Sequence, residues 1–252
     1  YLEQIAYHEM DRRYDVVIGA ADRALKLDDG QDRAAAARVA ALRALKRDDA
    51  ADEAKKYLES HPDSVAMLVE LAQCVGAYSD EGKGLLDRAL EKDPGDQIAL
   101  TLRYWPSTGE ELQPLLAALP DLKAFAESHA ECAGAWRSVG RAMLRLGKDD
   151  EALEIFRKAI ALAPQDDDLR SEFWSELGRL QKWDEILKDA ESVEDITKRS
   201  WQLRWGEAEA YAGSGKKMEA RTAFGAIAGD ESLLIDLRRR AKRAAERAMG
   251  GE

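Results

Sequence analysis

The sequence contains no asparagine, only two cysteines and few aromatic residues, and these scarcities exclude several classes of protein. Cys74 and Cys132 are too few for a disulfide-dense scaffold among 252 residues, and they lack the paired spacing of a zinc site. Continuous apolar stretches are only a few residues long, whereas a helix that spans a bilayer needs about 20. We therefore expect neither a disulfide framework nor a membrane segment within the chain.

Charge is abundant instead, with 38 Lys and Arg against 49 Asp and Glu and a formal net charge of −11. An acidic surface repels phosphate, which disfavours nucleic acid and anionic membranes as main partners. The charge is uneven, because residues 201–252 carry 10 basic and 8 acidic side chains. We favour a cytoplasmic location. Periplasmic or membrane-anchored locations stay open, because the sequence begins at Tyr1 rather than Met and a signal, anchor or further domain could precede it.

Helix-forming residues dominate, and no segment sustains the alternation typical of a strand. Two consecutive apolar stripes at helical spacing are separated by a turn at Gly147 and Lys148. The stripes consist of Trp136, Val139, Gly140 and Met143, then of Ala152, Phe156, Ala159 and Ile160. Two such helices form a hairpin whose exposed apolar edges require a neighbour.

Apolar positions recur at a fixed interval of 34 residues, which indicates stacked hairpins. The series are Met143, Leu177 and Tyr211; Ala152, Ile186 and Ala220; Phe156, Ala190 and Phe224; and Ala159, Val193 and Ile227. Glu59-Ser60-His61 recurs two periods later as Glu127-Ser128-His129. The sequence therefore predicts an internally repeated, all-helical chain.

The run AWRSVGRAMLRLGKDDEALEIFRKAIALAP, over 135–164, resembles a tetratricopeptide repeat. The resemblance implies an all-α fold, an α-solenoid with a right-handed superhelical twist. It would contain about seven tetratricopeptide-like hairpins and a C-terminal capping helix. In this family the first helix of each hairpin lines a concave groove, which generally holds an extended peptide or a partner's helix.

Repeat quality divides the chain into four predicted segments. These are degenerate hairpins over 1–98, an irregular Pro-interrupted repeat or hinge over 99–132, three repeats over 133–166, 167–200 and 201–234, and a basic capping helix over 235–252. In the irregular segment we expect a turn at Ser107-Thr108-Gly109. We also expect a broken second helix that restarts at Pro120, in the first-turn position that proline favours. In the middle repeat, Trp174 replaces a small residue and Ala190 a large one, which predicts an exchange of volume between them.

No constellation of side chains indicates catalysis, so we predict that the chain is not an enzyme and holds no cofactor or metal. His8 is isolated, while His61 and His129 fall at equivalent helix ends, where an imidazole can cap terminal carbonyls. Gly213-Ser214-Gly215-Lys216-Lys217 lacks the first glycine and the final Ser or Thr of a phosphate-binding loop. We interpret it as a turn between helices.

Candidate partner-binding residues are predicted on the first helices, where Arg137, Arg141 and Arg145 share one stripe at i, i+4 and i+8. Steps of 34 residues add Arg103, Ser171 and Trp205 to this groove set. Arginine forks bind carboxylates, so the stripe indicates an acidic or carboxylate-bearing ligand. The alternative is a solvated face, or arginines paired with acids such as Glu172 and Glu176. The family's carboxylate clamp relies on groove asparagines, which this chain lacks.

A secondary basic face is predicted on the last helix, at Arg239, Arg240, Arg243 and Arg247, either as solvated surface or as a site for an acidic partner. Together these features predict a non-enzymatic scaffold that binds a peptide segment or partner protein in a concave groove. The alternative is an accessory or regulatory helical domain of a larger enzyme or signalling protein whose other domain precedes Tyr1. Fold evidence alone does not name the partner.

Overall fold

The computed structural model describes residues 5, 12–105 and 112–248, and all regular structure among these residues is helical. His8 and the predicted turn at Ser107-Thr108-Gly109 lie outside the described residues. The all-α prediction is confirmed. None of the described helices is long and apolar enough to cross a lipid bilayer.

The described residues form fourteen α-helices and one short 3₁₀-helix. The α-helices are α1 (Tyr14–Leu27), α2 (Asp32–Ala44), α3 (Ala50–Ser60), α4 (Val65–Val75), α5 (Asp80–Lys92), α6 (Gln97–Tyr104), α7 (Gln113–Ser128), α8 (Ala133–Arg145), α9 (Asp149–Leu162), α10 (Asp167–Arg179), α11 (Trp183–Ala190), α12 (Trp201–Gly213), α13 (Lys217–Gly229) and α14 (Ile235–Ala248). The 3₁₀-helix, Ile196–Lys198, lies between α11 and α12.

Several helices begin at a side chain that satisfies a free backbone N–H of the first turn. Oxygens of Ser64, Ser79, Asp96, Asp166 and Ser200 accept hydrogen bonds of 2.7 to 3.5 Å from the N–H three residues further on. These caps set the starts of α4, α5, α6, α10 and α12. Short polar residues thus decide where each of these helices begins.

The chain forms two compact units, unit 1 over residues 1–147 and unit 2 over residues 148–252. In unit 1 each helix from α1 to α8 packs on the next, and alternate helices also meet, α2 on α4 and α6 on α8. In unit 2 each helix from α9 to α14 packs on the next, and α10 also packs on α12. Stacked hairpins bring the first helices of neighbours together in this way, so each unit is an α-solenoid segment.

Both predicted apolar stripes are buried. In α8 the buried set includes Trp136, Val139, Gly140 and Met143, and in α9 it includes Ala152, Phe156, Ala159 and Ile160. The turn residue Gly147 has a φ of +72°, a left-handed conformation that glycine adopts without steric cost. The amphipathic pattern of the best repeat therefore predicted its core.

The helix starts show where the 34-residue interval holds. The helices α8, α10, α12 and α14 begin at Ala133, Asp167, Trp201 and Ile235, which are spaced by 34 residues. The start of α6, Gln97, precedes that of α8 by 36 residues. Positions on α6 are therefore displaced by two residues from a strict 34-residue count.

The expectation that a helix restarts at Pro120 is wrong. Helix α7 runs from Gln113 to Ser128 with Pro120 inside it, and Pro114 occupies the first turn instead. Proline removes one backbone N–H and crowds the carbonyl one turn earlier, which usually ends a helix. Here Leu115, Leu119 and other residues of α7 are buried on both sides of Pro120, so the apolar face continues through it.

In the middle repeat, two tryptophans pack against glycines of α12. Trp174 is 2% exposed, and a Cβ added to Gly206 would lie 3.0 Å from its ring. A Cβ added to Gly213 would lie 2.4 Å from the ring of Trp183. Gly206 of the following hairpin thus provides part of the space for the Trp174 ring. The ring also lies beside α11, where its Nε1 donates to Asp189 Oδ2 at 2.7 Å, and the exchange of volume with Ala190 stays a prediction.

The equivalent histidines end helices, as the repeat predicts. His61 follows α3 and His129 follows α7. The ring of His61 stacks on Tyr57 at a centroid distance of 4.4 Å, and the ring of His129 packs tilted on Phe125 at 4.3 Å. His129 Nδ1 lies 2.9 Å from the terminal carbonyl oxygen of Phe125. The predicted capping role is confirmed for His129.

Candidate functional site

A groove of about 360 Å³ lies in unit 1 and is lined by α2, α4 and the start of α6. We call it the first-helix groove. Its lining residues are Asp32, Arg33, Ala36, Ala37, Ala40, Ala66, Val69, Glu70, Asp96 and Ile98. Since α2 packs directly on α4, the two helices present their shared outer face as one surface.

Four of the ten lining residues of this groove are alanines, and one large apolar residue is exposed in it. Ala36 and Ala40 of α2 and Ala66 of α4 leave room above the helix backbones, because alanine fills little space. Ile98 of α6 is 58% exposed. Exposed apolar surface beside a concavity is typical of a binding site, because a ligand can bury it.

Charged residues border the apolar surface. Glu70 accepts hydrogen bonds from Arg43 Nη2 at 3.1 Å and from Gln73 Nε2 at 3.1 Å, so its carboxylate is held in place. Arg33 is exposed. The groove therefore combines an apolar floor with polar edges that can orient a ligand.

Gln97, at the start of α6, joins α6 to α8. Its Nε2 donates to the carbonyl oxygens of Gly95 and Gly134, both at 2.9 Å, and its Oε1 accepts from Ser138 Oγ and Arg141 Nη1, both at 3.1 Å. Both donors and both acceptor sites of the amide are thus used. This network fixes α8, and with it Arg141, beside the start of α6.

The predicted arginine stripe lies on α8. Arg137 and Arg141 are partly buried and Arg145 is exposed, and all three make contacts within the protein. Arg141 donates to Gln97 in the network at the start of α6. The i, i+4, i+8 spacing places the three residues on one side of α8. Their role in binding a partner stays a prediction.

Arg103 is engaged inside unit 1. Its Nε donates to Asp87 Oδ1 of α5 at 2.6 Å, and its guanidinium lies 5.2 Å from the ring centroid of Tyr104. The hydrogen bond to Asp87 raises the pKa of Arg103 above its ordinary value. Because α6 begins 36 residues before α8, the counterpart of Arg137 at the fifth helix position is Thr101.

Ser171 and Trp205 lie in unit 2, at the fifth positions of α10 and α12. Ser171 Oγ donates to the carbonyl oxygen of Asp168, at 3.0 Å. Trp205 packs edge-on against Phe224 of α13, with ring centroids 5.1 Å apart, and Arg240 of α14 covers its ring at 5.5 Å. Trp205 therefore contributes to the packing of α12 on α13 and α14, while its role in binding stays a prediction.

The predicted secondary basic face lies on α14, where Arg239, Arg240, Arg243 and Arg247 are all exposed. Arg240 contacts Trp205, and Arg239 lies 3.5 Å from Asp236 of the same helix. Arg240 thus helps to pack α14 against Trp205, whereas the other three arginines lie on the outer side of the helix.

The described part of the chain contains no cluster of three or more His, Cys, Asp or Glu side chains that could hold a metal ion. Cys74 and Cys132 are free and partly buried. Burial raises the pKa of the Cys74 thiol, which opposes formation of the reactive thiolate.

Comparison with known families identifies the repeated unit. The sequence model of the Tetratricopeptide repeat family matches residues 36–97 and 115–167. The chain contains tetratricopeptide repeats. No curated protein matches the chain at a significant level. Tetratricopeptide repeats build solenoids with extended binding surfaces and generally act as scaffolds for protein interactions rather than as enzymes.

Solved structures with similarity to this chain include a tetratricopeptide repeat protein from Parabacteroides merdae, which is 16% identical, with 97% of each chain covered and a TM-score of 0.45. Yeast Tom70 is 18% identical, with 94% of this chain and 59% of Tom70 covered and a TM-score of 0.41. The TPR2AB domain of yeast Sti1, in a complex with pHSP90, is 16% identical, with coverage of 98% and 96% and a TM-score of 0.39.

Sequence reasoning missed the first-helix groove and Gln97. The signal for the groove was the run Arg33-Ala34-Ala35-Ala36-Ala37 in α2, which lies in a degenerate tetratricopeptide repeat and reads as simple helix propensity. Gln97 gave no signal, because one of its four partners lies in the loop before α6 and the other three lie in α8, 37 to 44 residues away.

Proposed function

We propose that this chain is a protein-interaction scaffold that binds a peptide segment or a partner protein in the first-helix groove of unit 1. The observation that carries the proposal is the exposed Ile98 beside an alanine-lined concavity of about 360 Å³. Burying an exposed aliphatic side chain under a ligand removes apolar surface from water, which favours binding.

The ligand we propose has a bulky apolar side chain and acidic groups. The apolar side chain would lie on Ala36, Ala40 and Ile98, where small residues leave space. The acidic groups would face α8, where Arg137 and Arg141 share one side of the helix. Arginine forks can hold carboxylates in a defined geometry, which supports acidic groups on the part of the ligand that faces α8. The groove itself is lined by Asp32, Glu70 and Asp96, so the apolar part of the ligand, rather than its acidic groups, would lie there.

Peptide selection tests this proposal. We would select peptides from a random display library on the intact protein and measure the affinity of the best peptide for wild type, Ile98→Asp and Leu27→Asp. Leu27 is the matched control, because it is also an exposed aliphatic residue of unit 1, at 77%, but lies outside the groove.

We expect Ile98→Asp to weaken binding by roughly tenfold or more, since it places a charge where the apolar side chain should pack. Leu27→Asp should bind as wild type does. Equal affinity of the peptide for both variants, or a larger loss with Leu27→Asp, would refute the first-helix groove as the binding site.

A further inference from the structure

Helix α14 is strongly basic within an acidic chain. It carries six basic residues, Arg238, Arg239, Arg240, Lys242, Arg243 and Arg247, and two acidic ones, Asp236 and Glu246. The chain as a whole has a net charge of −11. A local positive surface on an acidic protein attracts anionic partners to that position.

Part of this basic character serves to attach α14 to unit 2. Ala241 and Ala244 are buried in a cluster with Ala208, Phe224 and Ile227. At the edges of this contact, Arg238 Nε donates to the carbonyl oxygen of Ala228 at 3.1 Å, and Arg240 covers Trp205. The attachment thus uses two of the five arginines.

The other three arginines form a row on the outer side of the helix. Arg239, Arg243 and Arg247 are exposed and follow one another at i, i+4 and i+8. Within the described residues, Arg243 and Arg247 have no ion-pair partner, and the one acid near Arg239 is Asp236 of its own helix. The packing of α14 on unit 2 therefore does not explain why these three positions carry arginine.

The row also matches the arginine stripe of α8 in the repeat frame. Arg239, Arg243 and Arg247 occupy the fifth, ninth and thirteenth positions of α14, as Arg137, Arg141 and Arg145 do in α8. The two helices begin three 34-residue intervals apart. The last helix thus repeats the arginine pattern of a repeat helix, in a unit that does not contain α8.

We infer that the α14 row, defined as Arg239, Arg243 and Arg247, is a docking surface for an acidic helical segment of a partner protein. Residues four apart on a helix are separated by about 6 Å along its axis, so the row spans about 12 Å. A partner helix with glutamates at the same spacing presents carboxylates at matching intervals. Each guanidinium can then bind one carboxylate through two parallel hydrogen bonds.

The dimensions of the row favour a polypeptide over a nucleic acid or a membrane. The row covers only about two helical turns. Duplexes and anionic bilayers require a wider continuous basic surface, since their affinity comes from many phosphate contacts. A single acidic helix needs only the row itself.

Fluorescence anisotropy with the full chain tests this inference. The probe is a labelled, alanine-based helical peptide with glutamate at every fourth position, compared with the same peptide carrying glutamine. The variant is Arg243→Glu with Arg247→Glu. The matched control is Lys217→Glu with Arg221→Glu, which makes the same charge change at exposed i, i+4 positions on α13.

We expect the glutamate peptide to bind, the glutamine peptide not to bind, and the α14 variant to lose roughly tenfold or more in affinity. The α13 control and Ile98→Asp should keep wild-type affinity, which separates this surface from the first-helix groove. The same affinity for the α14 variant and the α13 control would overturn the inference. The inference would also be overturned if single-stranded oligothymidylate or phosphatidylserine vesicles bound more tightly than the glutamate peptide. It would equally be overturned if sedimentation velocity showed a wild-type dimer that the α14 variant abolishes. Each of these results would identify a different binding partner for the α14 row.

Discussion

Single glycines decide whether the tryptophans of unit 2 can pack. The ring of Trp183 lies against Gly178 of α10 and Gly213 of α12, and a Cβ at Gly213 would lie 2.4 Å from the ring. In contrast, nothing lies within 4 Å of the position that a Cβ at Gly225 of α13 would take. Of these two helical glycines of unit 2, Gly213 therefore has no space for a side chain, whereas Gly225 does.

We predict that Gly213→Ala lowers the free energy of unfolding by about 1–3 kcal/mol, because the methyl group forces Trp183 or α12 to move. Gly225→Ala should raise it by about 0.5–1 kcal/mol, because alanine is the better helix former and its methyl group meets no neighbour. Urea denaturation of both variants measures the difference. Similar effects of the two substitutions would contradict the packing described for Trp183.

The contacts of the predicted groove arginines could not be predicted from the sequence. Two arginines of the predicted groove set contact residues that no local pattern indicates, Arg103 with Asp87 and Arg141 with Gln97. Such pairs depend on which helices become neighbours and on the 36-residue spacing from α6 to α8. The sequence shows which residues are arginines, but their contact partners are determined by how the helices pack.

At the scale of the helix, α7 contains a proline that its buried face does not require. Pro120 is exposed, and it lacks the N–H that would otherwise bond to the carbonyl oxygen of Leu116. Pro114 stands in the first turn of the same helix, where no N–H is needed. The two prolines thus lie at different positions along α7, Pro114 in its first turn and Pro120 in its interior.

We predict that Pro120→Ala stabilises the protein by about 1–3 kcal/mol, because it restores a backbone hydrogen bond and relieves steric crowding in α7. Pro114→Ala is the control and should have an effect of about 0.5 kcal/mol or less, or be slightly destabilising. Both are measured by urea denaturation monitored by circular dichroism. A Pro120→Ala variant no more stable than Pro114→Ala would show that α7 is already distorted at this point.

The connection from α13 to α14 depends on one carboxylate. Asp230 accepts hydrogen bonds from Ser232 N and Oγ at 3.1 and 2.6 Å, and it pairs with Arg204 Nη2 at 2.8 Å. The hydrogen bonds from Ser232, followed by that from Arg204, lower the pKa of Asp230 to about 2. Asp230 thus links α12 to the start of the last helix.

We predict that Asp230→Asn lowers the melting temperature at neutral pH. An aspartate whose folded pKa lies below its unfolded value of about 3.9 stabilises the fold above that pH, and the stabilisation is lost as the pH falls toward the folded pKa. The difference between wild type and variant should therefore shrink between about pH 4 and pH 2. Thermal melts across this range measure it, with Asp236→Asn as the control. A difference that does not change with pH would contradict the assigned role of Asp230.

At the scale of the whole chain, the repeat period predicted the helical architecture and the buried stripes of α8 and α9. The period works because each hairpin meets only its neighbours, so the apolar positions recur wherever the helices stack alike. It failed to place Arg103, because α6 is displaced by two residues. It also did not reveal the first-helix groove, whose lining combines side chains from three separate helices.

The central claim is that the first helices of unit 1 form a ligand-binding groove. Methyl NMR of the intact protein, titrated with a display-selected peptide, tests it most directly. We predict shift changes at the methyl groups of Ile98, Val69 and Ala40, which line the groove, and none at Leu27. Shift changes at Leu27 with none at the three groove residues would contradict the account.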